Sequence, residues 1–355
     1  MPLDSHPSNT LPDAANIVVL GVGQMGLVCA GLLASPEPSR GTSGTLHRPV
    51  NVRLWGHDQD EVGRIAQTRR STRLPGFTLP DPVHVSLRDD AALRDAHLIV
   101  SAIPVQYSRD VWTRIAPLVA PGVGVVSVAK GIETTTSLRP TQIIADVLRS
   151  TGRDNPDGAP RRLGCLSGPT IAAELARCLP AAMIAASDDP AFANNIQSLF
   201  GCSWLRVYTN ADLLGVEFAG AVKNVIAIAA GIVDGLQAGN NAKSALLARG
   251  LAEISRFGVA MGASPDTFFG IAGVGDLATS CFSPEGRNRS CGEALGRGRK
   301  LAEYLKSIPY VVEGVATTKA VMSLAAKYRV EVPITSAVHA VLFEGVDPIE
   351  AISQL

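Results

Sequence analysis

One lysine of this 355-residue chain falls where a charged side chain is costly. Lys223 lies within the run 216–233, which is apolar on every face and therefore predicts a buried helix. A buried ammonium loses on the order of several kcal/mol of hydration unless it is paired or gives up its proton. A lysine in that setting can exchange a proton with a reacting group, so Lys223 is a candidate general acid or base.

Three glycines near the start of the chain could hold a dinucleotide. Gly21, Gly23 and Gly26 have the spacing Gly-x-Gly-x-x-Gly, after the apolar run 16–20 and at the start of a segment, 25–34, that suits a helix. The spacing alone is weak evidence, but after a strand and before a helix it lets the backbone approach a pyrophosphate. We call this segment, residues 21–26, the glycine opening. Together with Lys223, it indicates a dehydrogenase that uses a nicotinamide cofactor.

The residues after the predicted second strand, 50–55, bear on the choice of cofactor. An acid at the end of this strand would hydrogen-bond the ribose of NAD, and Asp58 could be that acid, although it lies a few residues late. His57, aided by Arg53 or Arg64, could instead meet a 2′-phosphate. We therefore expect NADP(H) or NAD(H), with NADP(H) slightly favoured.

Two further groups of residues follow predicted strands. Lys130 comes directly past the strand 124–128, at the edge where open parallel sheets bind ligands, although a solvated loop lysine is the alternative. Another predicted strand ends in the segment 166–170, whose residues favour a tight turn. Gly168 and Thr170 in this turn would present backbone amides and a hydroxyl to the same edge of the sheet as Lys130.

The second half of the chain adds an acid and a basic loop. Asp276 ends a glycine-rich segment, and a basic loop with Arg287 and Asn288 follows it. The guanidinium of Arg287 could bind a phosphate through two N–H donors, and Asn288 could orient that phosphate. Taken alone, such a loop is more often solvated. Glu313 is a further acid that, without other support, would be placed on the surface.

The alternation of strands and helices predicts a Rossmann-type, doubly wound, mostly parallel sheet followed by an all-α domain. The predicted strands are 16–20, 50–55, 96–103, 124–128, 164–167, 181–187 and 204–208. The predicted helical segments of the second domain are 213–237, 242–262, 313–328 and 335–344. We expect a flexible tail at 1–15, a dinucleotide-binding domain at 16–209 and a helical substrate domain at 210–355, with a long loop at 35–49 in the first domain.

Composition narrows the class of protein. Lys+Arg and Asp+Glu balance at 32 each, which removes a global electrostatic case for nucleic acid or an anionic membrane. The six cysteines form no CxxC pair, so we expect no metal site and no disulfide framework, and we expect a cytoplasmic protein. The run 216–233 is about long enough to span a bilayer, but Glu217, Lys223 and Asn224 favour a core helix, so no integral membrane segment is expected.

These stretches resemble one family, the bacterial NAD(P)-dependent glycerol-3-phosphate dehydrogenases. The resemblance covers roughly residues 15 to 350 and is most specific around Lys223. It is carried by the glycine opening and by the segments 54–57, 129–133, 166–170, 207–212, 220–231, 250–253, 275–277, 287–289, 312–314 and 332–335. The chain departs from the family at Gln24–Met25, where a serine and an aromatic residue are usual, and in the longer loop 35–49.

The resemblance implies reversible hydride transfer between NAD(P)H and dihydroxyacetone phosphate, giving sn-glycerol 3-phosphate for phospholipid synthesis. Lys223 would be the proton donor and acceptor at the C2 oxygen, and Lys130 and Asp276 would complete the catalytic set. Matched positions for the phosphate ester substrate are Lys130, Gly168, Thr170, Lys223, Asp276, Arg287 and Asn288. Beyond the three glycines, matched positions for the cofactor are Gln24, Met25, His57, Lys130, Ala172, Arg287, Val311 and Glu313.

Two other interpretations stay open. A related reductase could act on another small 2-keto or 2-hydroxy acid, although Arg287, Asn288 and Lys130 suit a phosphate better than a lone carboxylate. A non-catalytic nucleotide sensor could keep the same fold, but it would be favoured only if Lys223 or Asp276 were replaced by an inert residue. The oligomeric state is open, with a homodimer as the assembly considered.

Overall fold

The computed structural model describes residues 11–12, 14–34, 50–154 and 161–353. Most of the predicted tail and the whole predicted loop at 35–49 lie outside these residues.

An eight-stranded sheet forms the first part of the fold. Its strands are β1 (Ala15–Leu20), β2 (Val50–Trp55), β3 (His84–Ser86), β4 (Leu98–Ser101), β5 (Gly124–Ser127), β6 (Leu163–Ser167), β7 (Ala181–Ala186) and β8 (Leu205–Asn210). They lie in the order β3-β2-β1-β4-β5-β6-β7-β8, and every neighbouring pair is parallel except β6 and β7. The central strands are continuous buried apolar runs, as parallel strands covered on both faces should be. The predicted doubly wound, mostly parallel sheet is confirmed.

Helices cover both faces of this sheet. They are α1 (Gln24–Ala34), α2 (Gln59–Thr68), α3 (Asp89–Leu93), α4 (Val105–Ile115), α5 (Pro140–Ser150), α6 (Ala172–Ala176) and α7 (Pro190–Phe200), with a 3-10 turn at Ala116–Leu118. Apolar side chains of α1, α2, α6 and α7 share one core with the sheet, and those of α3, α4 and α5 share a second core on its other face.

After β8, the described residues form no further strand. The helices there are α8 (Leu213–Gly235), α9 (Gly239–Ala260), α10 (Pro265–Phe269), α11 (Asp276–Phe282), α12 (Arg287–Gly296), α13 (Leu301–Lys306), α14 (Glu313–Tyr328), α15 (Pro333–His339) and α16 (Pro348–Ser353). Two π-helical segments, Ile271–Gly275 and Ala340–Glu344, precede α11 and follow α15. The predicted all-α second part is therefore confirmed.

The central helix α8 is apolar on all sides because the other helices surround it. It is long and apolar enough to cross a membrane, but its most apolar stretch is wholly buried inside the protein. Asp212 begins the helix, since its carboxylate accepts a hydrogen bond from the Gly215 N–H at 2.8 Å. The same carboxylate accepts the Ser264 N–H at 2.9 Å and the Thr267 hydroxyl at 2.7 Å, so one cap also holds the start of α10.

Glycines let α12 cross α8 at close range. A Cβ on Gly231 of α8 would lie 1.9 Å from the carbonyl oxygen of Arg289, and a Cβ on Gly292 of α12 would lie 1.9 Å from that of Ile228. No larger residue fits either position, so this crossing brings the first turn of α12 beside Ile228 and Gly231, in the part of α8 that follows Lys223.

A buried carboxylate joins α8 to the sheet-containing part. Glu217, on α8, accepts the Thr141 N–H at 2.9 Å and the Thr141 hydroxyl at 2.6 Å, and it pairs with Arg139. Burial raises the pKa of Glu217, against the attraction of Arg139. The carboxylate thus satisfies the start of α5 and fixes α8 against the sheet.

Candidate functional site

The glycine opening turns tightly between β1 and α1. Gly21 has a φ of +112°, and its N–H donates to the Trp55 carbonyl at 2.7 Å. A Cβ on Gly26 would lie 1.8 Å from the Gly21 carbonyl oxygen, so Gly26 permits the helix to begin this close to the strand. A Cβ on Gly23 would meet no atom within 4 Å, so Gly23 faces open space. This arrangement fits a pyrophosphate approaching the backbone at the start of α1.

A cavity of about 430 Å³ extends from this opening to helices α8, α11, α12 and α14. Most of the residues that the sequence proposed for the site line this cavity: Gly23, Gln24, Met25, Lys130, Thr170, Ala172, Lys223, Asp276, Arg287, Asn288, Val311 and Glu313. Gly21 and Gly26 shape the turn behind it, and the carbonyl of Gly168 holds one of its lysines.

One buried carboxylate joins two lysines in the cavity. Asp276 is 1% exposed, and its Oδ2 lies 2.6 Å from Nζ of Lys130 while its Oδ1 lies 2.7 Å from Nζ of Lys223. Lys130 follows β5, Lys223 is in mid-α8 and Asp276 is the first residue of α11. Three elements distant in sequence therefore meet at one carboxylate.

The two lysines differ in how many hydrogen-bond donors are engaged. An ammonium has three N–H donors. Lys130 Nζ donates to the Gly168 carbonyl at 2.8 Å, the Thr170 hydroxyl at 3.2 Å and Asp276, which uses all three. Among the described residues, Lys223 Nζ donates to Asp276 and to the Ser280 hydroxyl at 2.6 Å. One donor of Lys223 is left for a bound ligand.

Burial and the two ammonium groups set the protonation of this cluster. Burial opposes the ionisation of Asp276, but Lys130 and Lys223 outweigh it and hold the pKa of Asp276 below its ordinary value. Burial lowers the pKa of Lys130 to about 8, with the Lys223 charge in the same direction and Asp276 opposing. Near neutral pH Asp276 is therefore ionised and Lys130 is mostly protonated.

The far side of the cavity is formed by the starts of α12 and α14. Arg287 is exposed, and its guanidinium carbon lies 5.9 Å from the ring centroid of Tyr310. Asn288 Oδ1 accepts the Gly314 N–H at 2.9 Å and so joins the two helix starts. Burial raises the pKa of Glu313, while Arg287 and the two lysines oppose this. The sequence alone would place Glu313 on the surface, but the structure places it in the cavity lining.

His57 and its proposed helpers do not join the cavity lining. His57 is exposed, and the guanidinium of Arg53 donates to the carbonyls of Ala92 and Arg94 instead. Arg64 pairs with Glu61 at 3.2 Å. Arg53 therefore spends Nη1 on the segment that leads into β4, and its help to His57 stays a prediction. Asp58 does not face the cavity either, since its Oδ1 caps α2 by accepting the Glu61 N–H at 3.1 Å.

Ser280 is the functional candidate that the sequence interpretation missed. It lies one helical turn after Asp276 on α11, and its hydroxyl is the second acceptor for Lys223. Residues four apart on a helix share a face, so the position of Asp276 already marked Ser280 as a neighbour.

No cluster of three or more His, Cys, Asp or Glu side chains that could hold a metal ion occurs in the parts of the chain that the structure describes.

The fold and this cavity are those of a dinucleotide-dependent oxidoreductase. Family models describe the matches more closely: the N-terminal model of NAD-dependent glycerol-3-phosphate dehydrogenase matches residues 16–193, and the C-terminal model matches residues 212–353. The chain belongs to the NAD-dependent glycerol-3-phosphate dehydrogenase family.

Relatives agree with this assignment over nearly the whole chain. The chain is 42% identical to glycerol-3-phosphate dehydrogenase (NAD(P)+) 2 of Salinibacter ruber over 343 residues, which cover 96% of this chain and 94% of that protein. It is also 42% identical to glycerol-3-phosphate dehydrogenase (NAD(P)+) of Geobacillus kaustophilus over 343 residues, with the same coverage. The crystal structure of glycerol-3-phosphate dehydrogenase from Coxiella burnetii is 32% identical and superposes with a TM-score of 0.87, covering 97% of this chain and 99% of that one.

Proposed function

We propose that this protein catalyses reversible hydride transfer between NAD(P)H and dihydroxyacetone phosphate, with sn-glycerol 3-phosphate as the reduced product. The observation that carries the proposal is the pair of lysines on one buried carboxylate, in a cavity that begins at the glycine opening. The names and the coverage of the relatives support the same reaction.

The residues present fit a nicotinamide dinucleotide. We propose that Gly21, Gly23 and Gly26 admit its pyrophosphate, and that the remaining cofactor contacts are Gln24, Met25, His57, Lys130, Ala172, Arg287, Val311 and Glu313. Open space at Gly23, at the start of α1, supports this fit because no protein atom fills it. The bound cofactor supplies or accepts the hydride.

Lys223 is proposed to hold and move the proton. When the C2 carbonyl is reduced, the Nζ donor that neither Asp276 nor Ser280 engages gives its proton to the C2 oxygen, and in the reverse direction Nζ takes it back. Asp276 and Ser280 fix Nζ in position. Lys130 has all three donors engaged, so its part is to orient Asp276 and to add positive charge to the site.

Positive charge at the cavity also suits the substrate phosphate. Arg287 offers a planar fork of donors to a phosphate, and Asn288 fixes the turn on which Arg287 stands. Gly168 and Thr170 complete the proposed substrate site with Lys130. Binding this non-reacting phosphate holds the carbonyl in place for reduction.

The other interpretations are not favoured. A reductase of another 2-keto acid, or a nucleotide sensor, would not explain a match to both family models together with the intact set Lys130, Lys223 and Asp276.

Several finer points are proposals. We place the division between the two domains at 209/210, which is supported by β8 ending at Asn210 and α8 beginning at Leu213. A cytoplasmic location is supported by six cysteines that form no disulfide. A homodimer, synthesis of phospholipid precursors and a slight preference for NADP(H) remain predictions.

The test is oxidation of NADPH and of NADH, followed at the absorbance of the reduced nicotinamide. We expect rapid oxidation with dihydroxyacetone phosphate and little with dihydroxyacetone, which lacks the phosphate. Equal rates with the two ketones would contradict the phosphate site, and no oxidation by a protein that binds the cofactor would favour the sensor.

A further inference from the structure

A loop rich in arginine, residues 69–79, lies against the glycine opening. The loop begins where α2 ends and closes on itself, because the Leu79 N–H donates to the Arg69 carbonyl at 2.8 Å. Gln24, which lines the cofactor cavity, donates from its side-chain amide to the Arg73 carbonyl at 2.9 Å. The backbone of Arg73 is therefore fixed to a side chain of the cofactor site.

The guanidinium of Arg73 is held loosely. Its side chain is 45% exposed, its Nη2 lies 3.7 Å from Asp58 Oδ2, and its Nε lies 3.9 Å from Glu61 Oε1. Both distances exceed a normal hydrogen bond. Both carboxylates have closer partners, since Asp58 caps α2 and Glu61 accepts the Ser71 hydroxyl at 2.5 Å. Exposed ion pairs of this length contribute little, so Arg73 can leave them at small cost.

The position of this guanidinium matters because of β2. In a doubly wound fold, groups just past the second strand meet the ribose that carries the 2′ substituent. An acid there binds the ribose hydroxyls of NAD, whereas an arginine accommodates the 2′-phosphate of NADP. β2 ends at Trp55, and the acid that follows, Asp58, is occupied as the cap of α2.

We propose that Arg73 selects the cofactor that carries a 2′-phosphate, by transferring its guanidinium from Asp58 to that phosphate. This inference rests on the proposed function, because it concerns the cofactor of the same reaction.

Three neighbouring arginines, Arg53, Arg64 and Arg69, are less suited to this role. Arg69 donates to the carbonyls of Leu79, Pro80 and Val83, and Arg53 donates to those of Ala92 and Arg94. Arg64 has an exposure similar to that of Arg73 but lies closer to Glu61, at 3.2 Å. Arg64 is therefore a matched control: it has the same charge, the same carboxylate neighbour and a similar exposure.

The experiment measures binding by calorimetry in the absence of any ketone substrate. The probes are 2′,5′-ADP and 5′-AMP, which differ only in the 2′-phosphate, followed by NADPH and NADH. Arg73→Ala is expected to weaken 2′,5′-ADP and NADPH about 10- to 100-fold, the range for losing hydrogen bonds to a charged group. NADH and 5′-AMP should change by less than about twofold, and Arg64→Ala should leave all four unchanged. The thermal midpoints of both variants should match the parent protein.

Three results would overturn the inference while leaving the reaction intact. The parent protein could bind 2′,5′-ADP no more tightly than 5′-AMP. Arg73→Ala could weaken NADPH and NADH equally, or neither. Arg64→Ala could reproduce the loss seen with Arg73→Ala. A parent protein that binds neither dinucleotide would instead refute the proposed function itself.

Discussion

Replacing the carboxylate of Asp276 by an amide should destabilise the protein strongly. Asp276→Asn keeps the shape of the side chain but leaves the ammonium groups of Lys130 and Lys223, at 2.6 and 2.7 Å, without the negative charge that both share. The Asp276 side chain is 2% exposed, so water cannot replace the lost charge. Removing one partner from a buried ion pair costs about 3–5 kcal/mol, and we expect a loss of unfolding free energy in that range at pH 7.

Asp234→Asn provides the matched control. Asp234 also holds two basic side chains, Lys243 at 2.7 Å and Arg289 at 3.0 Å, but its side chain is 22% exposed. Solvent can compensate for part of the lost charge, so the expected cost is about 1–2 kcal/mol.

The destabilisation by Asp276→Asn should shrink as the pH rises. In the parent protein the pKa of Lys130 falls from 10.5 to about 8 on folding, so between these values the unfolded state binds more protons and stability rises with pH. Removing the Asp276 charge, which opposes this shift, lowers the folded pKa of Lys130 further. The unfolding free energy of the variant therefore begins to rise at a lower pH than that of the parent protein. The difference in unfolding free energy between the two proteins is then smaller at pH 9 than at pH 7.

Urea unfolding, followed by circular dichroism and by the fluorescence of Trp55, Trp112 and Trp204, measures these differences at both pH values. A loss for Asp276→Asn below about 1 kcal/mol, or no larger than that for Asp234→Asn, would refute the shared-carboxylate argument. A difference that grows between pH 7 and pH 9 would refute the assignment of the Lys130 titration.

Three further predictions address the cofactor, the charge and the position of the proton donor. Gly26→Ala should lower the thermal midpoint of unfolding, because its Cβ would lie 1.8 Å from a backbone oxygen. Gly23→Ala should leave the thermal midpoint unchanged, because no atom lies within 4 Å of its Cβ, but it should weaken cofactor binding measured by calorimetry. Steady-state kcat/KM for dihydroxyacetone phosphate should fall as pH rises through about 8, where Lys130 loses its charge. Lys130→Arg should remove that fall, and a pH profile of this variant unchanged from the parent protein would contradict the assignment. Ser280→Ala should lower kcat about 10- to 100-fold with little change in KM, since Lys223 loses an acceptor at 2.6 Å, and Ser280→Thr should restore it.

The sequence predicts those elements whose burial leaves a clear pattern. The helix around Lys223 is apolar on every face, and the structure has it as α8 from Leu213 to Gly235. The strand β3, His84–Ser86, is three residues long and partly exposed, so no run of apolar residues marks it. Helices of five residues, such as α3 and α6, are likewise too short to show a period.

The residues of the site are more predictable than their partners. Lys223 and Asp276 are 53 positions apart, and only the packing of α11 on α8 makes them neighbours. The sequence also carries a signal for the role of Asp58. An aspartate followed three residues later by a glutamate, Glu61, is the signature of a helix start, and Asp58 is indeed the cap of α2 rather than a group at the cavity.

The central claim, that Lys223 moves the proton, is tested most directly by single-turnover reduction with Lys223→Met. Asp276 remains paired with Lys130 in this variant, so the fold and the cofactor dissociation constant should be retained. We predict that the rate of NADPH oxidation in the ternary complex falls about 10²- to 10⁴-fold, the range for losing a general acid. A rate within about tenfold of the parent protein, with the cofactor fully bound, would contradict the account.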